Sequence, residues 1–263
     1  MNRKLFATFF VVVAGVVAFA AWSLIPHAES GVKSGLTVFC AAGLKKPVEA
    51  SAQQYRQEFG VEVALQYGAT GTLLSQLQVA KQGDIFIATD DGSLADARNL
   101  KLIGEYVAIA VQHPVIAVKS GNPKGIRSLS DLTRADVRLA IANPGSASIS
   151  KVSRMLLGTQ WDGIAAKAAV MKPTVTEIAM DMQIGAVDAA IVWDSTVPQF
   201  KGLEAVELPE FTKHRENASA AVLVACKRPE EALKFARYLA APDKGGKIFR
   251  MHGFQLAATA RQP

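Results

Sequence analysis

Short apolar runs alternate with segments of helical spacing from Leu36 almost to the C-terminus, and few architectures satisfy that pattern. LTVFCAA (36–42) reads as a buried strand. Pro47 to Phe59 reads as a helix, with Val48, Ala52, Tyr55 and Phe59 on one face and Gly60 as its stop. VEVALQY (61–67) is a strand again, and Leu73, Leu74 and Leu77 mark the next helix, ended by Gly83. Asp84 to Ala88 predicts a strand, and Ser93 to Leu100 a helix with Asp90, Asp91 and Ser93 available as caps. In the middle of the chain, VAIAVQHPVIAVK suggests strands flanking Pro114, and GNPKGIRSLSDL a turn into a short helix. VRLAIANP is a strand, followed by helices at Ser146–Leu157 and Val175–Ile184 and a strand at Val187–Trp193. AAVLVAC (220–226) closes the strands, with helices at Pro229–Ala240 and Lys244–His252. This alternation predicts an α/β fold with parallel or mixed sheets, and no solenoid-type repeat competes with it.

The first thirty residues do not fit the pattern. Arg3 and Lys4 precede an uncharged run from Leu5 to Pro26, and Ala28 and Ser30 then form a small-x-small sequence. A basic start, an apolar stretch and small residues make an export signal. The run is also nearly long enough to span a bilayer, so a retained anchor is the alternative to cleavage after Ser30. Either way the body, from the short Gly/Ser/Lys linker 31–35 onward, is expected outside the cytoplasm. Removing residues 1–30 takes away two basic residues and one acidic one, which lowers the net charge from +6 to +5. That mild excess suits small anions. It is too scattered for nucleic acid, and no basic stripe alternates with aromatics. Cys40 and Cys226 each sit in an apolar run, so a disulfide is possible in an oxidising compartment.

In an α/β sheet, ligands gather at loops leaving strand C-termini, where helix N-termini aim their N–H groups. Four such junctions are short and built from small or polar residues: 40–44, 68–73, 143–151 and 173–177. None has Lys or Arg at its centre, although Lys45, Lys46 and Lys151 lie at the edges. In QYGATGTLLSQLQ, Thr70 could be a plain helix cap or a donor to an anion. Catalytic patterns are missing. There is no G-x-S-x-G elbow, no H-E-x-x-H helix, no Cys/His cluster with metal spacing and no phosphate-binding glycine motif, so neither an enzyme nor a metal or nucleotide cofactor is expected.

The order of these junctions resembles the periplasmic molybdate/tungstate-binding proteins of ABC importers. The resemblance rests on VFCAAGLKKPVEA, GATGTLLSQL, GDIFIATDD, IANPGSASISKV and VDAAIVWDS, and spans most of residues 36–257. It implies a two-lobed type II periplasmic binding protein with mixed sheets and an interlobe cleft. Residues 36–110 plus 200–257 would make the first lobe, and 113–193 the second. Position by position, the family's first-loop serine falls on Gly43, a departure that leaves an N–H but no hydroxyl. The second-loop serine falls on Thr70, which keeps the hydroxyl. Backbone donors from the other lobe fall on Ile149 and Val175. The family's strand-end tyrosine falls on Trp193, which can donate one hydrogen bond but accept none. The resemblance also implies a periplasmic location and an ABC permease as partner; a monomer is the default expectation.

A fully deprotonated tetrahedral dianion needs donors and no acceptor, which neutral helix starts supply without a buried counter-charge. A protonated anion such as phosphate or arsenate would also need a carboxylate, for which Asp194 and Asp90 are candidates, and sulfate is a further alternative ligand. Two further readings remain open in the sequence: a membrane-tethered oxyanion sensor, and an enzyme on the same fold using Cys40.

Overall fold

The computed structural model describes residues 33–258. The expected export signal or anchor at residues 1–30 lies outside the described residues. Along the chain, strand β1 (Lys33–Ala41) leads through a 3-10 turn at Ala42–Leu44 into helix α1 (Lys45–Phe59), followed by β2 (Val61–Gly68) and α2 (Thr70–Ala80). Then come β3 (Ile85–Ala88), α3 (Asp91–Asn99), β4 (Ile103–Gln112) and β5 (Pro114–Lys119). The middle holds β6 (Leu139–Ala142), α4 (Ser148–Leu157), α5 (Thr159–Lys167), β7 (Val170–Lys172), α6 (Val175–Gln183) and β8 (Ala189–Trp193). The chain ends with β9 (Leu203–Val206), α7 (Pro209–Thr212), β10 (Glu216–Leu223), α8 (Pro229–Ala240), α9 (Gly245–Met251) and β11 (Gln255–Leu256).

These strands form two mixed sheets, the fold class the sequence predicts. One has the order β11-β4-β10-β3-β1-β2, the other β7-β6-β8-β5-β9. β1 runs parallel to β3, and β6 runs parallel to both β7 and β8. β10 and β5 run antiparallel to their neighbours. Each sheet carries its own core. Leu36, Val38, Ile85, Ile87 and Phe235 pack on one face of the first sheet, and Phe39, Phe86, Leu73 and Leu77 on the other. Val115, Ile141, Ile191 and Phe211 belong to the core of the second sheet. No described apolar cluster joins the two lobes.

The chain crosses between the lobes twice, at Gln112–Pro114 and between Val206 and Glu216. The return therefore comes later than the expected position near residue 200. β9 pairs with β5 as an edge strand of the second sheet, and Leu208 and Phe211 bury into that lobe's core. β7 and β9 escape sequence reading because they are short edge strands, half-buried along most of their length, with no continuous apolar run. Cys226 also differs from expectation. β10 ends at Leu223, and Cys226 lies in the following turn, where its Sγ donates to Asp84 Oδ1 at 3.0 Å. Cys40 and Cys226 are both free thiols.

Candidate functional site

The C-terminal ends of the parallel strands in both sheets meet at one small cavity. Gly43 reaches it from the turn after β1, Thr70 from the start of α2, Ile149 from α4, Val175 from α6 and Trp193 from the end of β8. All five residues expected from the sequence thus line a single space. It offers about 20 Å³ of room for the centre of a water-sized sphere, equivalent to a hole roughly 3 Å in radius.

Local sequence explains why this space is rich in donors. α2 begins after Ala69 and α4 after Ala147, and neither alanine can cap. Polar residues usually fill that position and satisfy the first N–H groups. Here no side chain caps them, so the N–H groups of Thr70, Ser148 and Ile149 have no helical acceptor, while Gly71 N finds one across the cleft. α6 does have a cap, Thr174, but its Oγ1 accepts from Glu177 N at 3.3 Å and leaves the Val175 N–H without one. Three helices of nine residues or more therefore point their positive ends at one cavity.

Thr70 is not the cap of α2. It is the first helical residue, and its hydroxyl lies 3.0 Å from Thr89 Oγ1. Thr89 Oγ1 in turn lies 2.6 Å from Ser148 Oγ, across the cleft. Three hydroxyls joined by two hydrogen bonds hold three protons and use two, so one remains for a bound molecule. Thr89 and Ser148 line the cavity and are not among the residues chosen from sequence. Their signals were a strand-end threonine overshadowed by Asp90 and Asp91, and one serine among several in GSASIS. Trp193 is buried, and its indole N–H has no partner among the described residues. A Cβ on Gly43 would meet only Val175 Cγ2, at 3.4 Å.

No charged side chain lines the cavity. Asp90 and Asp194, the candidate acceptors for a protonated anion, stand outside it. Asp90 caps α3 through Ser93 N at 2.7 Å, and Asp194 Oδ1 accepts from His113 N at 3.0 Å at the first crossing. Burial pushes both carboxyls above the usual range. Cys40 is fully buried in the core of β1, and burial pushes its thiol far above the ordinary value, so it offers no thiolate nucleophile. Among the described residues no group of His, Cys, Asp or Glu could hold a metal ion, and no helix is long and apolar enough to cross a membrane.

The lobes touch around the cavity through hydrogen bonds. Gly71 N donates to Ser146 O at 2.8 Å, Thr176 Oγ1 to Ala42 O at 3.2 Å, and Gln199 Nε2 to Gly43 O at 3.1 Å. Lys46 Nζ also donates to Gln199 O.

Two sheet-centred lobes closing on a neutral, donor-lined cavity define a type II periplasmic binding protein. The chain belongs to the bacterial extracellular solute-binding proteins, a family that matches residues 36–255. It is a binding protein and not an enzyme. It is 29% identical over 240 residues to a protein of Haemophilus influenzae described as a binding protein, covering 89% of this chain and 96% of that one. It is 26% identical over 249 residues to the molybdate-binding protein ModA of Mycobacterium tuberculosis, covering 93% and 94%. Among solved structures, the periplasmic molybdate-binding protein of Azotobacter vinelandii superposes with a TM-score of 0.71 at 18% identity, over 85% of this chain and all of that one. A periplasmic thiamin-binding protein superposes with a TM-score of 0.75 at 16% identity, over 91% and 88%.

Proposed function

We propose that this chain is the exported capture protein of an ABC importer, and that its ligand is a tetrahedral oxyanion, molybdate or tungstate. Gly43, Thr70, Ile149, Val175 and Trp193 are its ligand-contacting residues in this reading, joined by Thr89 and Ser148. The observation that carries it is the convergence of three helix N-termini, two of them uncapped, on one uncharged cavity of roughly 3 Å radius. A space of that size suits a compact four-oxygen ion better than thiamin or a sugar phosphate. With donors on every side and no carboxylate on the lining, it favours a fully deprotonated dianion over hydrogen phosphate or hydrogen arsenate. The relatives named for molybdate support the choice within the oxyanions. After capture outside the cytoplasm, the closed protein delivers its cargo to the membrane permease.

The test is a melting panel on the full chain with molybdate, tungstate, sulfate, phosphate, arsenate and chromate. A ligand at 100 times its Kd stabilises the fold by about 2.7 kcal/mol, a rise of roughly 5–10 °C for a chain of this size. Molybdate and tungstate should give that rise, and Thr70→Val should remove most of it. No shift with either ion, or a larger one with phosphate, overturns the assignment.

A further inference from the structure

The cavity is neutral, yet two lysines cross the cleft around it: Lys46 reaches a backbone carbonyl, that of Gln199, and Lys151 reaches a carboxylate. Lys151 lies three residues after Ser148, one turn into α4 of the second lobe. Its ammonium reaches the first lobe and pairs with Asp96 of α3. At the start of the same helix lies Asp90, which is 1% exposed. Asp90 Oδ1 accepts from Ser93 N, but its Oδ2 has no hydrogen-bond partner. The ammonium and Asp90 Oδ1 stand 3.8 and 3.2 Å from the point where a Cβ on Gly92 would sit, so a glycine keeps the approach clear.

The other groups around Asp90 are acidic or already occupied. Glu216, from β10, repels its charged form, while Lys151 favours it. Glu216 itself accepts from Asp91 N at 2.7 Å and lies against His214. Asp91 is engaged by Asn217. The counter-charge for this acidic corner of the first lobe therefore comes from the second lobe. Opening the cleft withdraws it and leaves a buried carboxylate facing Glu216 alone. Opening thus has an electrostatic cost that involves no ligand contact.

We propose that Lys151 is a charge latch between the lobes, closing onto Asp96 and toward the buried Asp90, and that it slows release of the oxyanion without touching it. Its target ion rests on the functional reading above; the latch itself does not. Lys151 is a positioning residue here, acting on the ligand through closure.

The experiment compares the full chain with its Lys151→Met, Lys151→Arg and Asp96→Asn variants, using stopped-flow tryptophan fluorescence with molybdate at low and high salt. The pair is about half exposed at both ends, which limits the effect to about fivefold. Lys151→Met and Asp96→Asn should each raise the dissociation rate by about that factor and leave the association rate unchanged. The double variant should be no worse than either single one, Lys151→Arg should keep wild-type release, and the salt dependence of release should disappear with the latch. Dissociation rates of Lys151→Met and Asp96→Asn equal to that of the wild type overturn the latch. So does a fall confined to the association rate, which would make Lys151 a steering charge. If molybdate gives no signal, the ligand assignment has failed, and small-angle scattering of the ligand-free proteins decides the latch separately. A more open Lys151→Met supports it, and an unchanged profile sinks it.

Discussion

Replacing Gly71 by alanine should strengthen the ligand-free protein and weaken binding, because the two properties depend on different neighbours of one atom. Gly71 is the second residue of α2 and has ordinary helical backbone, so within its own lobe alanine is the better residue. Removing a glycine at a compatible position stabilises by about 0.4–1 kcal/mol, or roughly 1–4 °C for a chain of this length. Across the cleft the sign reverses. A Cβ on Gly71 would lie 2.8 Å from Ser146 O and 3.2 Å from Ser146 Cα, both backbone atoms that cannot swing aside. Closure would have to stop short, lengthening the Gly71–Ser146 hydrogen bond and the Thr89–Ser148 contact on the same surface. One lost hydrogen bond at about 1 kcal/mol and a mild overpacking cost of about 1–2 kcal/mol predict a 30- to 150-fold weaker Kd. Scanning calorimetry without ligand and titration calorimetry with molybdate measure the two halves. A Kd within threefold of wild type, or a lower melting temperature without ligand, would refute the reasoning.

Two further outcomes test other parts of the structure. Gly43→Ser adds a hydroxyl where the cavity has room, since its Cβ makes only an ordinary contact with Val175; molybdate affinity should rise about fivefold, one hydrogen bond's worth, and titration calorimetry showing weaker binding would mean that the loop cannot present the new donor. Asp188 takes hydrogen bonds from the Arg138 guanidinium and backbone N–H, which hold its carboxyl down from the ordinary 3.8 to about 2. Because the folded value is depressed, this stabilisation is present above pH 4 and fades as pH falls toward 2; Asp188→Asn should cost about 1–2 kcal/mol in urea unfolding at pH 7 and flatten the loss of stability between pH 4.5 and 3.

Much of this fold was legible because local chemistry and tertiary role agree. α8 starts at Pro229 and ends at Ala240, as its proline start and apolar stripe predict. β3 and β6 are buried along their whole length and read as continuous apolar runs. The site was legible in part. The junctions were visible, but cap preferences alone assign Thr70 the wrong role, since the true cap position is Ala69. Read in that light, two helices that begin after alanine are themselves a signal: the sequence omits a partner that most helix starts require. What could not be read is which loops face each other. Ser146 meets Gly71, Ser148 meets Thr89 and Lys151 meets Asp96 over long separations with no shared periodicity. Such pairs follow from how the lobes dock, and local sequence does not encode that.

The division of the apolar residues explains why a few hydrogen bonds can govern the whole molecule. Had a shared apolar core filled the cleft, closure would have buried large side chains at about 25 cal/mol per Å² and the ligand would have added little. Instead each lobe completes its core alone, and the described interlobe contacts include hydrogen bonds, the Lys46 ammonium over the Phe200 ring and one half-exposed ion pair. Such contacts contribute little net energy because water replaces them on opening. The open and closed forms therefore lie close in free energy. An ion that accepts hydrogen bonds from α2 on one side and from α4 and α6 on the other interacts fully with the closed form only. A ligand shifts a two-state equilibrium by its differential affinity for the two states. In the proposed reading, the unpaired N–H groups at these helix starts supply that difference, and the closing motion reports it to whatever meets the surface outside.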